Sequence, residues 1–304
     1  MSTTYATNSN RGSNAATTLS TPTAFSEGWS NRRAMKAVTL GPAGTYSHRA
    51  ASAVADEVSF RESVTAIIEA VADGSFQRGV VPIENSIEGS VTETLDALAD
   101  RDVAVVSEII TPIRHALLAQ SDEFETVASH SQALAQCRSY LETNYPEAGQ
   151  EAVASTARGV ERAREDAAVA AIGHPANATN GTELEVLAED IQDQDSNATR
   201  FFLLAPVDER TDAGGKTTLV VYPNVNYPGL LLELLEAFAD RNINLSRVES
   251  RPSGNRLGDY LFHFDLEAGL YESRLKAAIE EIEDIVDEGW VRNLGSYDTK
   301  HVLY

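Results

Sequence analysis

Val80-Val81-Pro82-Ile83-Glu84-Asn85-Ser86-Ile87-Glu88-Gly89-Ser90-Val91 reads as an apolar strand that delivers three polar side chains to its end, with a second amphipathic segment after it. In an open α/β sheet, strand ends that lead into helices are where ligands bind, so Glu84, Asn85 and Ser86 are candidate site residues. A plain turn before a helix uses the same residue types, so companion junctions decide the matter. Gly41-Pro42-Ala43-Gly44-Thr45-Tyr46-Ser47 follows an apolar run at 36–40, and Ser129-His130-Ser131-Gln132 follows another at 126–129. Ser155-Thr156 precedes a helical stretch, and Asn197-Ala198-Thr199-Arg200 opens the last strand of the region. Ser and Thr at such places cap helices, each cap contributing about 1 kcal/mol. Several helix N-termini aimed at one crevice also make an anion site, each adding about 0.3–1 kcal/mol.

Around these junctions, short apolar runs alternate with amphipathic stretches, the pattern of an α/β protein with a mostly parallel sheet covered by helices. Strands are expected at 36–40, 78–83, 103–109, 114–119, 126–129, 168–172 and 200–205, with helices at 45–54, 63–72, 90–99, 131–142 and 157–165. The polar stretch 206–215 reads as a linker. After it the order is strand 216–222, helix 229–240, strands 243–250 and 258–265, helix 270–285 and strand 289–295, a ferredoxin-like βαββαβ unit. Residues 1–34, rich in Ser, Thr, Asn and Ala, have no apolar period and are expected to be a disordered or mis-assigned leader.

Composition excludes several function classes. Of the 304 residues 42% are hydrophobic, with no apolar run near the roughly 18 residues of a membrane helix. The net charge of −22 argues against a nucleic-acid partner. Lysine occurs only at 36, 216, 276 and 300, and such an acidic, lysine-poor surface suits a high-salt, halophilic cytosol in which self-repulsion is screened. Cys137 is the only cysteine, expected in a helix as a small core residue, so no intrachain disulfide forms. The glycines at 41 and 44 fit neither the phosphate-loop nor the dinucleotide template, and the histidines are too dispersed to suggest a metal. No cofactor is expected. His130, directly after a strand, is a functional candidate, whereas His115 sits within an apolar run.

The ordered set GPAGTYS (41–47), VVPIENSIEGSV (80–91), SHSQALAQC (129–137) and NATRF (197–201) resembles the prephenate dehydratases, and YPGLL (227–231) with ESRP (249–252) resembles their regulatory ACT domain. The resemblance implies a two-lobed catalytic domain like type 2 periplasmic binding proteins over 35–205, a linker over 206–215 and an ACT domain over 216–304. It implies conversion of prephenate to phenylpyruvate with loss of carbon dioxide and water, without cofactor or metal. Thr199 would donate a hydrogen bond to the departing oxygen, and either Glu84 or His130 would supply the proton. Thr45, Ser47, Asn85, Ser86, Ser129, Gln132, Ser155 and Thr156 would line the substrate site. Arg200 is either a carboxylate clamp or, because strand neighbours point to opposite faces, a structural ion pair. L-Phenylalanine would bind near Asn224, Gly229, Leu230, Glu249 and Ser250 between two ACT copies of a homodimer or homotetramer. A cytoplasmic enzyme is expected, since no secretory apolar core is found. Arogenate dehydratase and a non-catalytic amino-acid-binding sensor stand as alternatives.

Overall fold

The computed structural model describes residues 34–87, 89–178, 183–194, 196–286 and 288–302, so the expected leader, but for Ala34, lies outside the described residues. A first lobe opens with β1 (Lys36–Leu40), α1 (Tyr46–Ser52), β2 (Glu57–Arg61), α2 (Val64–Ala72), β3 (Arg78–Asn85), β4 (Gly89–Ser90), α3 (Thr92–Asp100) and β5 (Val103–Pro112). The chain crosses to a second lobe of β6 (Ala116–Ala119), β7 (Thr126–Ser129), α4 (Ser131–Gln136), α5 (Arg138–Asn144), β8 (Gly149–Ala152), α6 (Thr156–Glu165), β9 (Val169–Gly173) and β10 (Glu185–Ala188). It returns through β11 (Ala198–Pro206). A βαββαβ module follows: β12 (Lys216–Tyr222), α7 (Leu230–Ala239), β13 (Leu245–Pro252), β14 (Tyr260–Leu266), α8 (Ser273–Val286) and β15 (Trp290–Tyr297). Last comes β16 (Thr299–His301).

The first sheet has the order β16-β5-β11-β3-β1-β2 with β4 on β3, the second β10-β6-β9-β7-β8, and the module's sheet β13-β14-β12-β15. The expected mostly parallel sheet is instead mixed, because the returning β11 runs antiparallel to both β3 and β5. Strands β2, β8 and β10 were not expected. All three are sheet edges, where half-exposed strands lack the continuous apolar run of a buried one. The terminal strand β16 pairs in parallel with β5 of the first sheet, so the module's own fold ends with β15 rather than running to 304.

Packing places the module on the back of the first sheet. Val81, Ile83, Phe202 and Leu204 from the sheet share one core with Val220, Leu261, Leu294 and Tyr297 from the module. On its other face the module packs Leu219, Val221, Phe262 and Phe264 against Leu234, Phe238, Leu275 and Ile282 of α7 and α8. In the second lobe α6 lies so close to β7 that a Cβ on Gly159 would stand 2.4 Å from the Ala128 carbonyl oxygen, which is why glycine is needed there.

A bulge sets which side chains reach the cleft. Phe201 pairs with Pro82 and Arg200 with Glu84, leaving Ile83 without a partner in β11. The extra residue reverses the alternation of β3. Pro82, Asn85, Thr199 and Phe201 all line the cleft, while Ile83 belongs to the core behind the sheet and Glu84 stands beside Arg200.

Candidate active site

Between the lobes lies a cavity of about 230 Å³, at the small end of ligand pockets, which span roughly 300–1,000 Å³; it suits one compact metabolite. Its walls come from the predicted junctions. Thr45 caps α1, accepting from His48 N at 3.2 Å, and Ser47 follows in the first turn. His130 caps α4, its Nδ1 accepting from Gln132 N at 3.4 Å, and Ser155 caps α6, accepting from Arg158 N at 3.0 Å. Thr45, Ser47, Asn85, His130, Gln132, Ser155, Thr156 and Thr199 all line the cavity.

Thr199 is held from one side. Asn85 Nδ2 donates to Thr199 Oγ1 at 3.0 Å and to Asn197 Oδ1 at 3.4 Å, and Asn85 Oδ1 accepts from Ile87 N at 2.9 Å. Because Oγ1 is the acceptor in that bond, the hydroxyl proton is left to point into the cavity. The chain of amides continues across the lobes: Asn197 Nδ2 donates to Gln136 Oε1 at 2.9 Å, and His115 Nε2 meets the same oxygen at 2.9 Å. An oxygen acceptor there assigns the His115 proton to Nε2, and burial holds this ring below its ordinary pKa, so it is neutral. Tyr46 donates its hydroxyl to Arg114 O at 2.7 Å and sets its ring edge-on to His115 and His174. Among the described residues the cavity lining contains no Lys, Arg, Asp or Glu. Anion binding here would rest on neutral donors and helix N-termini.

Four residues expected at the substrate site, Glu84, Arg200, Ser129 and Ser86, do not line the cavity. Glu84 is turned to the back of the sheet by the bulge, 3.6 Å from Arg200 Nη1. Arg200 resolves as the structural ion pair, since strand alternation directs it away from the cleft onto Glu108 and Asp265. Ser129 is buried and donates to Ile172 O at 2.7 Å, fastening β7 to β9 instead of lining the cavity. Ser86 sits outside it, donating to Ser196 O and accepting from Ala198 N. Glu249 faces the first lobe, accepting from Ser90 Oγ at 2.8 Å, while Ser250 is exposed and pairs with Phe262 of the helix-covered face. Two further expected effector residues, Asn224 (φ +54°) and Gly229 (φ +104°), occupy the loop before α7; Leu230 is buried in the module core.

Sequence reasoning missed Tyr46, His115, Gln136 and Asn197. Gln136 had a usable signal, lying one helical turn from Gln132 and therefore on the same face. His115 had none, because the apolar run that contains it is also what buries it. Among the described residues no group of three or more His, Cys, Asp or Glu could hold a metal ion, and no helix is long and apolar enough to cross a membrane.

Two lobes around a neutral, hydroxyl-rich cleft, with a βαββαβ module packed behind, define a periplasmic-binding-protein-like α/β class carrying a regulatory-type domain. The chain belongs to the prephenate dehydratase family, whose profile matches residues 37–209, and an ACT domain matches 218–286. It is 35% identical over 286 residues to the prephenate dehydratase of Bacillus subtilis, covering 87% of this chain and 99% of that one. It is 37% identical over 269 residues to a bifunctional chorismate mutase/prephenate dehydratase of Aquifex aeolicus, covering 86% of this chain and 73% of that protein. Among solved structures, prephenate dehydratase from Arthrobacter aurescens in complex with L-Phe superposes with a TM-score of 0.78 at 36% identity, over 87% of this chain and 90% of that one.

Proposed function

We propose that the chain is a cytoplasmic prephenate dehydratase that converts prephenate to phenylpyruvate, carbon dioxide and water. The observation that carries this is the cleft hydroxyl of Thr199, held as an acceptor by Asn85 so that its own proton is free for a ligand. In the reaction the bond from the ring to its carboxylate breaks and carbon dioxide leaves. The electron pair moves through a ring double bond and expels the ring hydroxyl, which takes one proton and departs as water. Thr199 is aimed at that departing oxygen, and one preorganised donor of this kind contributes about 2.7–4 kcal/mol. His130 is the cleft-lining proton source once Glu84 is turned away: its Nδ1 accepts from Gln132 N, which leaves Nε2 as the ring nitrogen that can donate. Ser155, Thr156, Thr45, Ser47 and Gln132 supply hydrogen bonds for the two carboxylates, and the N-terminus of α6 adds its partial positive charge. The ammonium of arogenate would find no carboxylate among the described lining residues, which favours the keto acid.

Residues 35–205 act as the catalytic part and the βαββαβ module as the regulatory part. L-Phenylalanine, present in the Arthrobacter relative, fits the loop from Asn224 to Gly229 as effector. A second copy fits the side of the module where the edge strand β13, α7 and the loop before α7 expose Val248, Leu231, Leu232, Val225 and Tyr227. The acidic surface suits a halophilic cytosol.

Purified protein in concentrated salt without added metal is expected to form phenylpyruvate from prephenate, read by absorbance in alkali, and to use arogenate poorly. No product from either would overturn the enzyme reading, and a preference for arogenate would reassign the substrate. In the same assay L-phenylalanine should inhibit the wild type and lose its grip on Gly229→Val, whose β-branched side chain cannot take the left-handed backbone of that turn. A monomer mass by light scattering would end the oligomer reading.

A further inference from the structure

Thr199 and Arg200 are chain neighbours that read two different parts of the molecule. Thr199 faces the cleft; Arg200 faces the module and is nearly buried. Its Nε donates to Glu108 of the same sheet, its Nη1 to Asp265 Oδ2 of β14 at 2.5 Å, and its Nη2 to the Tyr297 hydroxyl of β15 at 3.3 Å. Asp265 is fully enclosed: Arg247 donates to it through Nε at 2.7 Å and Nη2 at 3.2 Å, and Thr218 Oγ1 at 2.7 Å. Glu108 also receives Lys216 Nζ and Thr299 Oγ1, each at 2.7 Å.

We infer that Asp265, an acid of the regulatory module, is a positioning residue for the reaction: by holding Arg200 it sets where β11 presents Thr199 to the substrate. Two features of the molecule lead there. The register of β11 against β3 breaks between Arg200 and Phe201 while its ladder with β5 runs unbroken from Ala198 to Leu203, so beside Thr199 the strand is bulged on its β3 edge, and the side-chain anchors of Arg200 add to the hold of the β5 ladder there. Without the charge of Asp265, Arg200 keeps Glu108 and the partly exposed Glu84 while Arg247 loses the carboxylate it donates to, so buried positive charge is under-compensated; Arg200 then shifts or admits water, and its backbone moves with it. Thr199 is the adjacent residue, and its donor geometry is what the chemistry uses. Displacing a reacting group by about 1 Å can cost about 10²-fold in rate.

The plain alternative is that the ion pairs only glue the module to the lobe. A double-mutant cycle separates the two. Asp265→Asn, the charge removed and the shape kept, should lower kcat about tenfold or more with KM within about twofold. In a Thr199→Ala background the same change should alter kcat by less than about twofold, because the group it positions is gone. Unchanged kcat in the first background, or an equal loss in both, would overturn the proposal. Should Asp265→Asn fail to fold, Thr218→Val takes its place. It removes one hydrogen bond to Asp265 and keeps the charge, so about a threefold loss is expected that vanishes without Thr199; equal losses again overturn it. The inference rests on the role given to Thr199, and the cycle keeps the two apart. Near-normal turnover of Thr199→Ala sinks that role, whereas a large Thr199 effect with an additive Asp265 effect sinks only the positioning.

Discussion

The cleft face and the back of the first sheet are a few ångströms apart and handle charge in opposite ways. On the cleft side the described lining residues include no formally charged side chain. On the back, Arg200, Glu108, Asp265 and Arg247 interlock with almost no access to water, and the partly exposed Lys216 joins them at Glu108. The pKa directions follow: burial alone would raise the Asp265 and Glu108 carboxyls, but the neighbouring cations prevail and hold both below their ordinary values. In a chain of net charge −22, an acid in the cleft would repel a dianionic substrate and a bare cation would attract the protein's own acids. Neutral donors avoid both. The back has no ligand to accommodate, so its charges can be cancelled permanently by one another.

If that division is right, the largest single effect on catalysis comes from the smallest change on the cleft side. Thr199→Ala removes one hydroxyl and keeps the β-carbon in place, and turnover should fall by about 10²–10³ with the melting behaviour unchanged. Turnover within a few-fold of wild type would move the chemistry to another group, His130 being the next to test.

The back should respond through stability, and to pH. His263 is fully buried there with neither ring nitrogen hydrogen-bonded. Burial, reinforced by Arg247 and Arg251 and opposed by Asp265 and Asp96, lowers its pKa to about 3. An unfolded histidine takes a proton as pH falls through about 6.5, whereas the folded one stays neutral until far lower. The unfolded state therefore binds more protons in that window, and stability, complete above pH 6.5, falls by about 1.4 kcal/mol per unit on acidification. His263→Leu should shrink the loss of unfolding free energy between pH 7 and pH 5 by about 2 kcal/mol in denaturant titrations. An unchanged pH slope would mean that His263 ionises freely in the folded protein.

How far the sequence could go is also explained by the two faces. Central strands such as Val80 to Ile83 and Phe201 to Ala205 are apolar on both sides because both sides are covered, so they stand out. The edge strands Glu57–Arg61 and Gly149–Ala152 do not, being half-exposed and polar. The helix caps at Thr45, Ser155 and His130 were legible because an N-cap has a composition. The bulge at Ile83 has none, and it decides the fate of Glu84. Strict alternation from Pro82, which faces the cleft, would put Glu84 in the cleft and Asn85 behind it; the structure has the reverse. The ion network was out of reach for a related reason, since Asp265 and Arg200 are brought together only by the docking of one sheet on another.

Glu84 therefore provides the finest test of the comparison, because it is the residue that one step of register moves from front to back. It is half-exposed at the rim of the ion network, 3.6 Å from Arg200 Nη1, which is already held by Asp265 at 2.5 Å. A partly solvated pair at that distance contributes about 0–1 kcal/mol. Glu84→Gln keeps the shape and removes the charge, so kcat should change by less than about threefold, with no alkaline limb lost from the pH–rate profile. A general acid at this position would instead cost about 10²–10⁴ in rate and erase the corresponding limb. That outcome would mean the working enzyme pairs β3 and β11 without the bulge and would return Glu84 to the cleft, whereas a near-silent substitution leaves proton delivery to His130.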